Sequence, residues 1–480
     1  MPTKLPMWKK WMYAMGQFGW SLASFAVGSK LVYFYLPPST IPMGPFVQQG
    51  NVVPLITVNN VVVFGLTIIG LVFAFGRLFD AVTDPLVAGL SDRSKWKLGK
   101  RRSFLAISVL PFAALSALVF FPPETGISLV NTVWLFVTVL LFYWFMTMYV
   151  TPFFALLSEI GHTPDERLQL STFISITWAL GTMVGSQVEA LQAALMGSMP
   201  GLSAVAAFQI VVVGFAALAF VFMLLPIVFI DEAKYSQPNV SEGSIFKALK
   251  DAFSNRNFLA FTLSDLAYWV AITIINTVLV YYVVVLLGLQ AGFTGLLVMV
   301  MFLLSFVFYV PVNLIAKRTG KKRLLGFRFL LFSLVFVYAA FLGLYPFAKE
   351  VQALIVVMLA AIPLAIFGIV QNAIVSDIAE ADGLETGNFK AGMFFGARTF
   401  MSKMGQTVAG FLIPSLLLIG AATDQLKVGT GELATESAGA MGVRVTAVVA
   451  AIFCLLGFAL FLLYNEKGIL ATLAKRKTAD

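Results

Sequence analysis

The chain has 480 residues, of which 60% are hydrophobic and 11% charged, and its mean hydropathy is +0.92. Soluble domains carry about 25% charged residues, so the composition excludes a soluble globular protein and implies a polytopic helical membrane protein. The net charge of +9 does not call for a nucleic-acid partner, and one cysteine (Cys454) with one histidine (His162, in a predicted loop) excludes an internal disulfide, a cysteine metal cluster and a histidine proton relay in the membrane. Apolar runs long enough to span fall at about twelve places, 10–36, 59–90, 102–122, 130–157, 168–197, 203–230, 257–287, 293–315, 323–346, 350–378, 392–421 and 442–464. The first begins near Trp11 and is too long for a signal h-region, so no cleavable signal peptide is expected. The second is read as helical and apolar from Val61 onward.

Basic residues set the expected orientation. With the N-terminus inside, Lys349, Lys427 and Arg444 fall on outer segments and Lys30, Arg77, Arg398 and Lys403 within spans. The rest of the 32 Lys and Arg, including the whole 317–328 cluster with Arg328, fall on cytoplasmic segments, so both termini are expected in the cytoplasm. The polar stretch Asp231–Asn257 separates two sets of six helices. The expected division is an N-terminal half over 1–230, a cytoplasmic middle loop over 231–256 and a C-terminal half over 257–480. Each half carries a basic loop after its second helix, S-D-R-S-K-W-K-L-G-K-R-R (91–102) and A-K-R-T-G-K-K-R (316–323). Such parallel repeats describe the major facilitator fold, with a central cavity near the bilayer midplane.

Asp80 and Asp84 lie four residues apart in R-L-F-D-A-V-T-D-P (77–85), on one helix face. A mid-membrane carboxylate costs roughly 2.5–3.5 kcal/mol on insertion scales, and the natural partner for two of them is Na⁺, H⁺ or a basic side chain. Two adjacent carboxylates can share a proton, or both ionise around a cation. The plainer reading is a buried salt-bridge network with Arg77 and Lys403.

The stretch from Arg77 to Arg102 resembles the helix 2 and loop 2–3 signature of the glycoside–pentoside–hexuronide:cation symporter family, which includes melibiose permease. Arg77, Asp80, Asp84, Pro85, Gly89, Asp92, Gly99, Lys100 and Arg102 fit its pattern. P-F-F-A-L-L-S-E-I with the following D-E-R (152–167) is similar to its helix 4 segment. S-D-I-A-E-A-D-G-L-E-T-G and G-M-F-F-G-A-R-T-F-M-S-K-M-G-Q are similar to its loop 10–11 and helix 11. The resemblance implies a cation site at Asp80, Asp84, Thr83 and Thr147, with Na⁺ possible at the two aspartates, and coupling through Lys403 beside Arg77. Thr83 stands where melibiose permease has an asparagine that influences the choice of cation. Its galactoside-binding aspartates fall on Ser21 and Val150, and its helix 11 glutamine on Arg398, so galactosides are not the expected solute.

Ser21, Tyr149, Trp178, Asp265 and Arg398 are the candidate solute contacts, Arg398 meeting an anionic group or pairing with Asp265 or Glu189. Lys30, near the outer end of helix 1, reads as snorkelling. Asp92, Arg93, Arg101 and Arg102 read as a cytoplasmic gate and as topological charge. The expected function is Na⁺- or H⁺-coupled symport of a glycoside, pentoside or hexuronide by a monomer in the cytoplasmic membrane. No cofactor beyond the coupling ion is expected, and no enzymatic constellation is visible. A lysolipid or other amphipathic anion is the alternative cargo, and a non-transporting sensor or scaffold the reading from another class.

Overall fold

In hydrocarbon a chain must satisfy its backbone N–H and C=O groups internally, which favours helices. The computed structural model describes residues 4–38, 43, 46–47, 51–58, 61–92, 94, 96, 98–162, 164–235, 252–387, 391–420 and 431–477. In chain order the elements are α1 (Met7–Tyr35), β1 (Asn51–Val58), β2 (Val61–Thr67), α2 (Ile68–Asp92), α3 (Lys100–Leu118), α4 (Leu129–Ile160) and α5 (Pro164–Gly185). There follow α6 (Val188–Ser198), α7 (Ala204–Phe229), α8 (Glu232–Tyr235), α9 (Arg256–Tyr281), α10 (Phe293–Thr319), α11 (Lys321–Ala340), α12 (Lys349–Thr386), α13 (Ala391–Leu417), α14 (Gly431–Leu462) and α15 (Glu466–Lys477). Each predicted run contains a long stretch of helix. Among the described residues, 8 helices are long and apolar enough to cross a membrane; α2, interrupted by Arg77, Asp80 and Asp84, falls short of that standard.

Three expectations change. Val61–Thr67 is not the start of a helix but a strand, paired antiparallel with β1. Its β-branched run favours extended backbone, and Thr67 then starts α2 by accepting a hydrogen bond from Gly70 N at 3.0 Å. The run 168–197 is two helices, α5 and α6, because the chain leaves helical hydrogen bonding between Gly185 and Val188. Arg328 does not belong to a basic loop: it lies inside α11 and is 0% exposed. Most of the predicted middle loop, 236–251, lies outside the described residues.

Contacts divide the chain into two compact units. The first is Met1–Ser241 with Gln290–Leu296 and Leu418–Gly439. In it α1 packs on α5 and α7, α3 on α4 and α7, and α2 on α4. Small residues set these distances: a Cβ on Gly181 would fall 2.1 Å from Ser21 Oγ, and one on Gly19 2.6 Å from Ala219 O. The second unit is Glu242–Leu289, Leu297–Leu417 and Ala440–Asp480. There α9 packs on α13, α11 on α12, and α12 on α15.

The two units repeat the same devices. Glu232 Oε1 accepts from Lys100 N at 2.8 Å, and Oε2 from Arg101 N and Arg102 N at 3.0 and 2.9 Å, so a distant carboxylate caps α3. Glu466 Oε1 caps α11 likewise, accepting from Lys321 N at 2.8 Å and Lys322 N at 3.1 Å. Each capped helix follows a glycine at positive φ, Gly99 at 112° and Gly320 at 86°. Near the other end of each unit, an amide in the first turn of a helix clamps the preceding loop. Asn131 Nδ2 donates to Glu124 O and Gly126 O, and Gln352 Nε2 to Tyr345 O and Phe347 O.

Glu232→Ala is expected to cost about 1–2 kcal/mol by leaving the first N–H groups of α3 without their acceptor. Glu466→Ala should act equally on α11, both read as a lower thermal-unfolding midpoint in detergent. Unchanged midpoints in both variants would show that the caps contribute nothing.

Candidate functional site

A Cβ on Gly76 of α2 would fall 2.6 Å from the Tyr143 ring, so glycine is what lets α2 and α4 approach closely here. The approach sets two pairs of equal spacing face to face, Asp80 and Asp84 against Thr147 and Thr151. Thr147 Oγ1 donates to Asp80 Oδ1 at 2.6 Å, and Thr151 Oγ1 to Asp84 Oδ1 at 3.1 Å. Thr83 Oγ1 lies 3.3 Å from Thr147 Oγ1 and 3.2 Å from Asp80 O on its own helix. Asp80, Thr83 and Thr147 are buried and Asp84 is half-buried. Thr151 escaped the sequence reading; the signal for it is the i, i+4 repeat from Thr147.

Every polar atom presented here is a hard oxygen, the donor type that Na⁺ takes. The hydroxyls now act as donors; to ligate a cation each would turn its hydrogen away and offer a lone pair. Among the described residues no three His, Cys, Asp or Glu side chains gather to hold a metal ion; the side-chain oxygens of this place are those of two carboxylates and of threonine hydroxyls. Arg77, one turn before Asp80, lies 5.0 Å over the Tyr143 ring and 5.8 Å over Phe73. Lys403 is half-buried on α13 in the second unit.

The candidate solute contacts separate into two kinds. Asp265 and Arg398 meet, Arg398 Nε donating to Asp265 Oδ2 at 3.1 Å, whereas Glu189 has a different partner. Ser21 donates to Phe18 O at 3.0 Å within its own helix, and Tyr149 to Met223 O at 2.8 Å; both are buried in helix contacts. Trp178 is exposed on α5.

Arg101, among the gate residues, is buried: its Nε donates to Glu159 Oε1 at 3.0 Å and its Nη1 to Ser91 Oγ at 2.6 Å, tying α3 to the ends of α4 and α2. Arg102 Nε donates to Ile227 O. Asp92 ends α2, and Arg93 lies outside the described residues. Glu159 and Glu232 were not singled out in the sequence, although both stand near breaks between apolar runs.

The family model for MFS/sugar transport proteins matches residues 12–466. The chain belongs to that family. It is a major facilitator transporter, not an enzyme. The inner membrane symporter YicJ of Escherichia coli is 22% identical over 366 residues, covering 75% of this chain and 76% of the relative. The sodium-dependent lysophosphatidylcholine symporter 1 of Xenopus tropicalis is 28% identical over 189 residues, 39% of this chain and 31% of that protein. The solved nucleoside transporter NupG aligns with a TM-score of 0.63 at 12% identity, over 95% of this chain and 98% of NupG, which shows the shared fold.

Lys30 of this transporter does not snorkel. Its Nζ donates to Glu189 Oε1 at 2.6 Å, and the two side chains are 3% and 0% exposed. A lysine with a carboxylate within reach on the neighbouring α6 is better satisfied inward than by stretching to an interface. Tyr33 OH, one turn on, donates to Gln192 Oε1 at 3.3 Å, so the two contacts together dock α6 on α1. Lys30→Met alone is expected to destabilise the transporter by about 3–5 kcal/mol, because it strands the Glu189 charge. Lys30→Met with Glu189→Leu should recover most of that loss in thermal unfolding. A double variant as unstable as the single one would rule out the pairing as the cause.

Proposed function

We propose that this transporter carries out Na⁺- or H⁺-coupled symport of a sugar-type solute (glycoside, pentoside or hexuronide) by alternating access, as a monomer in the cytoplasmic membrane. The observation that carries the reading is the double rung of Asp80 with Thr147 and Asp84 with Thr151. Coupling requires a site whose charge differs between its loaded and empty forms. A proton shared by the two aspartates, or a Na⁺ held between them with both ionised, meets that requirement. Thr83, Thr147 and Thr151 supply the further oxygens. Arg77 and Lys403 are the basic side chains assigned to compensate the aspartates when the ion leaves. Asp92, Arg93, Arg101 and Arg102 belong to the cytoplasmic gate. The family's description as sugar transport proteins supports the solute class.

An amphipathic anion such as a lysolipid is the second reading, favoured by the partial match to a lysophosphatidylcholine symporter. The test is solute uptake into proteoliposomes under imposed Na⁺ or H⁺ gradients, with neutral glycosides, hexuronides and lysolipids as cargo. Gradient-driven uptake of a glycoside or hexuronide is expected, and Asp84→Asn should abolish its gradient dependence. Full coupling in that variant would return the aspartates to a structural role. Thr147→Val and Thr151→Val are each expected to raise the cation concentration for half-maximal uptake about tenfold, the loss of one hydroxyl ligand.

A further inference from the structure

Arg328 is the largest fully buried side chain in the described residues. Its Nε, Nη1 and Nη2 have no hydrogen-bond partner. It rests on aromatic faces, 4.1 Å over Tyr268 and 4.5 Å over Phe329. Cation–π contact alone does not offset the cost of burying an unpaired ion. Five N–H donors in a fixed fork are thus held ready and unused.

The neighbouring carboxylate is Asp265, which acts electrostatically on both Arg328 and Arg398. Asp265 is 0% exposed; its Oδ2 receives Arg398, and its Oδ1 has no hydrogen-bond partner of ordinary geometry. The cluster therefore sets two guanidinium charges against one carboxylate, an excess of one positive charge. Its walls are aromatic: Phe367 stacks on Tyr268 at 4.6 Å, meets Trp269 edge-on at 5.3 Å and lies under Arg398 at 5.8 Å. Asp265, Arg328 and Arg398 stand at similar depths, roughly 10–14 Å along α9, α11 and α13 from their first residues. Those three helices run in the same direction, since one helix of opposite direction separates each from the next. All of these residues belong to the second unit.

We propose that Arg398 and Arg328 form a seat for an oxyanion of the transported solute, in which the anion takes Arg398 and Asp265 transfers to Arg328. Arg398 is the accessible member, with its side chain 15% exposed against 0% for Asp265. A carboxylate or phosphate monoester oxygen arriving there displaces Asp265, whose second oxygen turns to the idle guanidinium. A monoanion brings the cluster to neutrality, and the aromatic walls receive the body of the solute. Within the transport reading above, on which this inference rests, it narrows the cargo to anionic solutes.

The test is ligand-induced thermal stabilisation of the purified full-length protein in detergent. D-glucuronate, glycerol 3-phosphate and a lysophosphatidic acid serve as oxyanion probes, with D-glucose as the neutral control. At least one oxyanion probe is expected to bind at least about tenfold more tightly than glucose, and Arg328→Met to remove that preference. Arg328→Lys should retain part of it. Asp265→Asn, which leaves both arginines to the anion, should tighten it. Preference for glucuronate identifies a sugar acid, and preference for either phosphate probe a phosphorylated headgroup. No oxyanion preference in the unaltered protein, or full preference in Arg328→Met, overturns the proposal. If Arg328→Met does not fold, Asp265→Asn decides, and weaker oxyanion binding there overturns it. Because the measurement uses no gradient, a failure of ion coupling leaves this result standing. Gradient-driven uptake of glucose with no oxyanion preference would sink this inference alone.

Discussion

A charge removed from water must be answered by its neighbours, because the interaction energy of two charges rises many-fold as the dielectric falls. Three ion pairs among the described residues follow that constraint. Lys30 faces Glu189, Arg101 faces Glu159, and Arg398 faces Asp265. Asp80 accepts a hydrogen bond from the Thr147 hydroxyl on the neighbouring α4. Arg328 rests on aromatic faces beside Asp265, and its guanidinium nitrogens make no hydrogen bond. At Arg328 the answer is incomplete, and an arriving oxyanion is proposed to complete it.

The same economy of means appears where helices begin. A carboxylate from after the sixth long helix of each unit reaches the start of the third, and an amide in the fourth clamps the loop before it. The interactions recur because the backbone problem recurs: exposed N–H groups at a helix start and a tight turn at a glycine. The recurrence extends to side chains, since Arg101 with Glu159 and Lys321 with Asp377 both tie the start of a third helix to the C-terminal part of a fourth.

Much of this was legible in the sequence, because long apolar runs and the i, i+4 aspartates are local patterns. The helix positions and the aspartates Asp80 and Asp84 could be read in that way, whereas Thr83 and Thr147 came from the resemblance to the symporter family. What escaped depends on partners distant along the chain. The i, i+4 repeat from Thr147 to Thr151 acquires meaning only when α4 is set against α2. Lys30 reads as snorkelling until Glu189, 159 positions away, is brought beside it. Arg328 was grouped with Lys321, Lys322 and Arg323 because counting charge by segment ignores how far into a helix a residue stands. The hairpin was missed because an apolar, β-branched run near a membrane reads equally as the start of a span.

That hairpin also serves as a depth gauge. Strands β1 and β2 form a sheet of two strands, whose outer edges carry backbone groups in need of water, so they stand outside the hydrocarbon. The water boundary therefore falls near Thr67, where α2 begins. At 1.5 Å per residue, Asp80 lies about 18 Å below that boundary and Asp84 about 24 Å, in a hydrocarbon layer about 30 Å thick. The upper rung thus sits just past the middle of the bilayer and the lower one close to the opposite surface, so the two carboxylates stand at unequal distances from water.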